Sequence, residues 1–249
     1  MEIIPEPALT PELIADRYDR LSKRLREAAE SGGHDPDKLR VVAVTKAWPI
    51  EVCRAALDAG LRMLGENRVQ EAEPKVAALP DAEWHLVGRL QSNKARRAVR
   101  AFSTIHSVDT LDLLRRLDKV AADEAAADEG RSLRLLLQVN LSGEEAKAGF
   151  DGAWFADQAH RPGELAAALR GLHAARVAGL MTMARFAAPP DEARATFRRL
   201  RELRDALRNQ SGLELPELSM GMTADAVEAA AEGATLVRIG TALFGPRPG

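Results

Sequence analysis

Val41-Val42-Ala43-Val44-Thr45-Lys46 is an apolar, β-branched run that closes on a cation, directly before Ala47-Trp48-Pro49. Four consecutive aliphatic residues with no polar alternation describe a strand covered on both faces, as in a parallel sheet. Lys46 then stands where a parallel barrel presents its last side chains to a site. An amine in that place forms a Schiff base once enough of it is unprotonated. The plainer alternative is a lysine that ends a strand and meets water, and the segment by itself does not separate the two.

Seven further apolar runs follow: Met63-Leu64, Trp84 to Val87, Thr104 to Val108, Leu133 to Val139, Val177 to Met181, Leu218 to Met220, and Leu236 to Ile239. Helical patterns lie between them: Ile50 to Ala59, Val69 to Ala78, Asn93 to Phe102, Leu111 to Ala127, Leu165 to Ala174, Glu192 to Leu207 and Ala224 to Ala231. Gly60 offers a C-cap to the first and Pro80 follows the second. Eight βα units in 249 residues match a single (β/α)8 TIM barrel. A doubly wound open sheet is the alternative, but no glycine fingerprint of a dinucleotide fold follows the first strand.

Residues 10–31 read as an extra helix before the barrel. Thr10 is placed as N-cap, Pro11 lies in the first turn, and Leu13, Ile14, Tyr18, Leu21 and Leu25 share a face before Ser31-Gly32-Gly33 stops it. After the last strand only Thr241-Ala242-Leu243-Phe244-Gly245 and a Pro-Gly tail remain, so the N-terminal helix is expected to cover that part of the wall. The expectation is one domain over residues 1–249, with the barrel at about 40–245. The acidic, Ala-rich stretch 123–132 reads as the exposed end of a helix running into a loop.

Hydrophobic content of 46% and charged content of 29% are those of a soluble globular protein. A net charge of −2 provides no global field to recruit nucleic acid or an acidic membrane. Lys94-Ala95-Arg96-Arg97 and Arg198-Arg199-Leu200-Arg201 lack the interleaved aromatics that stack on bases and read as solvated helix faces. No apolar run nears the ~20 residues that span a bilayer, and Glu2, Glu6, Glu12 and Asp16 break up any signal peptide. Cys53, the single cysteine, excludes an internal disulfide and a cysteine-clustered zinc site. His106, His160 and His173 have no metal-ligand spacing, so no metal is expected. A cytoplasmic protein is the expectation.

Polar residues gather at the strand ends. The second offers Gly65-Glu66-Asn67-Arg68, and the third carries His85 and then Gly88-Arg89. The seventh offers Ser219-Met220-Gly221-Met222-Thr223 and the eighth Arg238-Ile239-Gly240-Thr241. Barrels commonly hold phosphate in the loops after strands seven and eight. Ser219 has a hydroxyl, Gly221 permits close backbone approach, and Gly240-Thr241 offers backbone N–H groups. Glycines in such places can also be plain turns. A Schiff-base lysine with a phosphate cup suggests pyridoxal 5′-phosphate (PLP), and a phosphorylated aldehyde sugar needs the same parts. Arg238 helps separate them, because a permanently charged donor at the barrel centre suits a pyridine nitrogen and keeps it unprotonated. A structural ion pair in the barrel mouth is the other reading of Arg238.

VVAVTKAWP, GENRVQEAEPK, WHLVGRLQSNKAR, IHSVDT, LLQVNLSGEEAKAGF, GLMTMA, LSMGMTAD and VRIGTALFG run in order from about residue 40 to 245. Together they resemble the pyridoxal phosphate homeostasis protein family, the YggS/PROSC type. The resemblance implies a fold-type III, PLP-binding barrel similar to the N-terminal domain of bacterial alanine racemase. It implies PLP held as an aldimine on Lys46, with phosphate on Ser219 and the Gly240-Thr241 backbone and Met222 and Thr223 nearby. It sets Arg238 by the pyridine nitrogen, and Asn67 and His85 along the cofactor pocket. Arg89 departs from the proline or histidine common in such proteins, and the 123–131 stretch looks longer than usual.

Racemase chemistry needs a base on each face of the cofactor. The related racemases bring a tyrosine from a C-terminal domain, whereas this chain has only Tyr18, in the N-terminal helix. The expectation is therefore a monomeric, non-catalytic PLP carrier whose partners are PLP and PLP-dependent apoenzymes. A PLP-dependent, racemase-like enzyme is the alternative.

Overall fold

The computed structural model describes residues 9–125, 132–144 and 148–246. Most of the 123–132 stretch, including the expected helical end at Ala127, lies outside them. Nine strands form one parallel sheet: β1 (Arg40–Val44), β2 (Met63–Glu66), β3 (Glu83–Leu86), β4 (Thr104–Val108), β5 (Leu133–Asn140), β6 (Phe150–Asp151), β7 (Ala175–Met181), β8 (Glu217–Met222) and β9 (Leu236–Ile239). Their order is β4-β3-β2-β1-β9-β8-β7-β5, and β4 also pairs with β5, which closes an eight-stranded barrel. β6 pairs only with the end of β5. The TIM barrel expected from the apolar runs is therefore present.

Around it lie α1 (Pro11–Ser31), α2 (Ile50–Asp58), α3 (Val69–Ala78), α4 (Ala95–Ala101), α5 (Leu111–Ala125), α6 (Gly152–His160), α7 (Glu164–Arg170), α8 (Pro190–Ser211), α9 (Ala226–Ala231) and α10 (Thr241–Phe244). Thr10 caps α1 through its hydroxyl, which accepts the Leu13 N–H at 3.3 Å. Ile14, Leu21, Leu25 and Ala29 form the buried face of α1, which packs on α2, α9 and α10. Arg17 donates to the Leu243 carbonyl at 2.9 Å. The N-terminal helix thus covers the wall beside β9, where α10 is barely one turn.

Two departures have local causes. The helix expected over 165–174 ends at Arg170, because the Asp118 carboxylate on α5 accepts the N–H groups of His173, Ala174 and Ala175 at 3.0, 2.9 and 2.8 Å. Those donors serve the start of β7 and cannot continue a helix. The short α6 sits between Gly149 and Gly163, too interrupted to show periodicity. Its one legible signal is Asp151, whose carboxylate accepts the N–H groups of Ala153 and Trp154.

Charge closes the N-terminal end of the barrel. Arg40 binds both oxygens of Glu217 at 2.5 and 2.6 Å, Thr235 donates to the same carboxylate, and Arg134 pairs with Glu83. Apolar side chains, among them Val42, Leu136, Ala178, Met181 and Leu236, fill the interior. The opposite end, at the strand C-termini, is left for a site. Among the described residues no helix is long and apolar enough to cross a membrane.

Candidate functional site

β1 ends in a tight turn that carries Lys46. The Trp48 N–H donates to the Thr45 carbonyl at 3.1 Å, so Lys46 and Ala47 occupy the centre of a four-residue turn. Ala47 adopts a φ of 63°, a left-handed conformation that costs an L-residue roughly 1–2 kcal/mol. A buried polar group holds this turn. Lys75 on α3 donates from Nζ to the Thr45 carbonyl at 2.9 Å and to Glu66 Oε1 at 2.7 Å. The Thr45 hydroxyl donates to the same Oε1 at 2.7 Å. Glu66 is fully buried, and burial raises its pKa against the opposing hydrogen bonds from Lys75 and Thr45. The sequence signal for Lys75 is its place beside Val69 and Ala72 on the buried face of α3. We expect Ala47→Val to lower stability by a further ~1–2 kcal/mol in urea unfolding, because a β-branched residue tolerates left-handed backbone poorly.

β8 and β9 present the cup. Gly221 has a φ of 91°, and a Cβ there would meet Ala229 Cβ on α9 at 2.5 Å, so glycine is required. Gly221→Ala is expected to cost roughly 1–3 kcal/mol and to displace the turn that follows, read by thermal unfolding. In that turn the Met222 N–H donates to Asp225 Oδ1 at 2.6 Å, while Met222 and Thr223 are exposed. Thr223 Oγ1 accepts the Ala242 N–H at 3.4 Å, which ties the turn to the Gly240-Thr241 start of α10. β9 lies between β8 and β1, with Met222 opposite Arg238 and Ala43 opposite Ile239. Met222, Thr223, Gly240, Thr241 and half-buried Lys46 therefore share three adjacent strand ends. Asn67 follows at the end of β2, half-buried, its carbonyl so close to Gly88 that a Cβ on Gly88 would lie 2.3 Å away.

Arg238 lies below this rim, buried, donating from Nη2 to the Thr182 carbonyl at 3.0 Å and from Nη1 to Ser219 Oγ at 2.6 Å. Burial lowers its pKa to about 10 against the charge of Asp225, so it stays cationic at neutral pH. Two expected positions have partners in the barrel interior. Ser219, expected at the phosphate, is fully buried and has both Arg238 and His106 as partners. His85, expected to line the cofactor pocket, turns toward the strand starts. It bonds Glu83 at 3.1 Å and borders a small space with Arg40, Thr104, Arg134 and Glu217.

His106 was not singled out as a site residue, yet it bridges Ser219 and His85 at 2.8 Å each. Burial, reinforced by the charge of Arg40, lowers the His85 pKa to about 3. Burial, then His85 and Arg238, holds His106 well below its usual range. Both rings are neutral at physiological pH. Their folded pKa values are depressed, so their stabilising effect is complete above the unfolded value of ~6.5 and is lost as pH falls below it, for His85 down to about 3. The thermal midpoint is therefore expected to drop across that window. Among the described residues no group of three His, Cys, Asp or Glu side chains could hold a metal ion.

The family model of the alanine racemase N-terminal domain matches residues 17–248. A pyridoxal phosphate homeostasis protein of Pseudomonas aeruginosa is 42% identical over 239 residues, 94% of this chain and 96% of its relative. One of Synechocystis sp. is 42% identical over 215 residues, covering 85% and 93%. The chain belongs to the pyridoxal phosphate homeostasis protein family. A solved member of similar build is PipY of Synechococcus elongatus PCC7942, with PLP bound. It is 41% identical, with a TM-score of 0.78 over 93% of this chain and 100% of PipY. Alanine racemase from Corynebacterium glutamicum shares the fold at 16% identity, with a TM-score of 0.66 over 97% of this chain and 63% of the racemase. Within the homeostasis family, the barrel rim of this member is built from Lys46, Asn67, Met222, Thr223, Gly240 and Thr241 above Arg238.

Proposed function

We propose that this protein binds pyridoxal 5′-phosphate at the barrel rim and serves in its homeostasis as a carrier or regulator, without robust catalysis of its own. The observation that carries the proposal is the strained Lys46 turn, set beside the β8–β9 cup and over a buried guanidinium. The donor set fits the cofactor, and the relative PipY was solved with PLP bound. When bound, PLP supplies an aldehyde, a pyridine nitrogen and a phosphate.

Lys46 would provide the primary amine that such an aldehyde condenses with. The Thr223 and Thr241 hydroxyls and the Gly240-Thr241 backbone would hold the phosphate, with Met222 beside it and Asn67 along the ring side. Arg238 would face the pyridine nitrogen as a donor with no proton to give up at neutral pH, which would leave that nitrogen unprotonated. An unprotonated ring is a poor electron sink, which disfavours racemisation. Ser219 and, through His106, His85 are joined to Arg238 by buried hydrogen bonds.

A racemase also needs a second base. Tyr18, the single tyrosine, lies on α1, where it borders a groove with Asp19, Ser22, Lys23 and Arg26. The proposal extends to a monomeric, single-domain, cytoplasmic carrier that passes cofactor to PLP-dependent apoenzymes. The test combines visible absorbance with amino-acid racemisation. The expected result is a protein-bound PLP band with racemisation no faster than free cofactor gives. Turnover well above that rate would overturn the carrier reading in favour of the enzyme.

A further inference from the structure

We infer that Glu83, His85, His106 and Ser219 form a one-way hydrogen-bond chain that positions the Arg238 guanidinium. The chain crosses the barrel interior from the charged N-terminal plug to just below the rim. Glu83 Oε1 lies 3.1 Å from His85 Nε2, and His85 Nδ1 lies 2.8 Å from His106 Nε2. His106 Nδ1 lies 2.8 Å from Ser219 Oγ, which accepts from Arg238 Nη1 at 2.6 Å. Ser219 and His106 are completely buried and His85 is 1% exposed, so no water substitutes for a missing partner at the inner links, while the Glu83 side chain at the outer end is 29% exposed.

Both ends have fixed polarity. A guanidinium only donates and an ionised carboxylate only accepts. Arg134 donates to the same Glu83 oxygen, which marks that oxygen as an acceptor. One proton arrangement satisfies every link. Arg238 donates to Ser219, the Ser219 hydroxyl donates to His106 Nδ1, His106 Nε2–H donates to His85 Nδ1, and His85 Nε2–H donates to Glu83. The reverse arrangement would set a bare His85 nitrogen against the carboxylate and leave the Ser219 proton without an acceptor. Each costs as much as a buried unsatisfied polar group.

Arg238 has a second anchor in the Thr182 carbonyl. Two acceptors, one on β8 and one just past the end of β7, hold its planar head in one orientation. Glu83, His85, His106 and Ser219 are thus positioning residues, acting through Arg238 and not on a ligand. Glu83 lies at the start of β3, at the end of the barrel opposite the rim, where it also pairs with Arg134, and the chain is what links it to Arg238.

The last step of this inference, from Arg238 to a ring nitrogen, rests on the PLP reading, whereas the chain itself does not. The first measurement therefore uses the cofactor-free protein. Nitrogen-15 NMR of the histidine rings is expected to show His85 and His106 both neutral and protonated at Nε2. Protonation at Nδ1 of either ring would overturn the chain. The second measurement titrates PLP into the wild type, Glu83→Met and Glu83→Gln. Glu83→Met removes the terminal acceptor. Its expected effects are mixed tautomers, about 3- to 10-fold weaker PLP binding, and a shifted absorbance maximum of bound cofactor. Glu83→Gln keeps a carbonyl acceptor and is expected to restore most of both. A Met variant with wild-type affinity and spectrum would sink the positioning role. Wild type that binds no PLP while showing the expected tautomers would instead sink the functional reading and leave the chain standing.

Discussion

Lys46→Ala is expected to abolish the visible band of protein-bound PLP and to weaken binding about 100-fold, the scale of one lost covalent anchor against retained polar contacts. The rim keeps its other parts in this variant. The proposed phosphate contacts of Thr223, Thr241 and the Gly240-Thr241 backbone do not depend on Lys46, and Arg238 remains held by Ser219 and Thr182. Residual binding should therefore be reversible on dilution. Lys46→Arg makes the comparison sharper. It preserves the cation but has no amine that condenses with an aldehyde, so it should lose the band as fully as alanine. A Lys46→Arg protein that keeps the band would show that charge, and not nucleophilicity, is what this position contributes.

Lys75→Met is expected to destabilise the protein by about 3–5 kcal/mol at neutral pH, because it strands a buried carboxylate. Glu66 has no exposed surface, and its Oε2 already lacks a partner. Lys75 and Thr45 are the two donors to its other oxygen. The sign of the pH dependence follows. Burial already raises the folded Glu66 pKa, and loss of Lys75 raises it further. A carboxyl whose folded pKa is raised is tolerated while protonated, and the deficit grows as pH climbs through the ordinary carboxylate range of ~4.3 and beyond. Urea unfolding should thus show a small deficit at low pH and the full one above it. The paired change Glu66→Gln with Lys75→Met leaves no buried charge and should recover much of the loss. Failure to recover would mean that Lys75 acts mainly by packing or through the Thr45 carbonyl.

The barrel was legible because parallel strands buried on both faces leave uninterrupted apolar runs, from Val41–Val44 to Leu236–Ile239. The strand C-termini were legible because polar residues cluster where such runs stop, as at Lys46, Thr223 and Thr241, and the proposed site is placed there on that ground. Depth along the barrel axis was not legible. Alternation tells whether a strand residue faces inward, but its level in the interior depends on the stagger between strands. That is why the hydrogen bonds that join His85, His106 and Ser219 to Arg238 were not legible. The Glu66–Lys75 pair was hidden for a related reason. Its partners lie nine residues apart on β2 and α3, and only the fold brings them to the Thr45 carbonyl.

The claim at the centre of this account is that Lys46 is the amine that holds the cofactor. Borohydride reduction of the PLP-loaded protein, followed by peptide mapping, tests it directly. The expected product carries the reduced pyridoxyl group on Lys46 and is absent from Lys46→Ala. A stoichiometric label on any other lysine, with Lys46 unmodified, would contradict it.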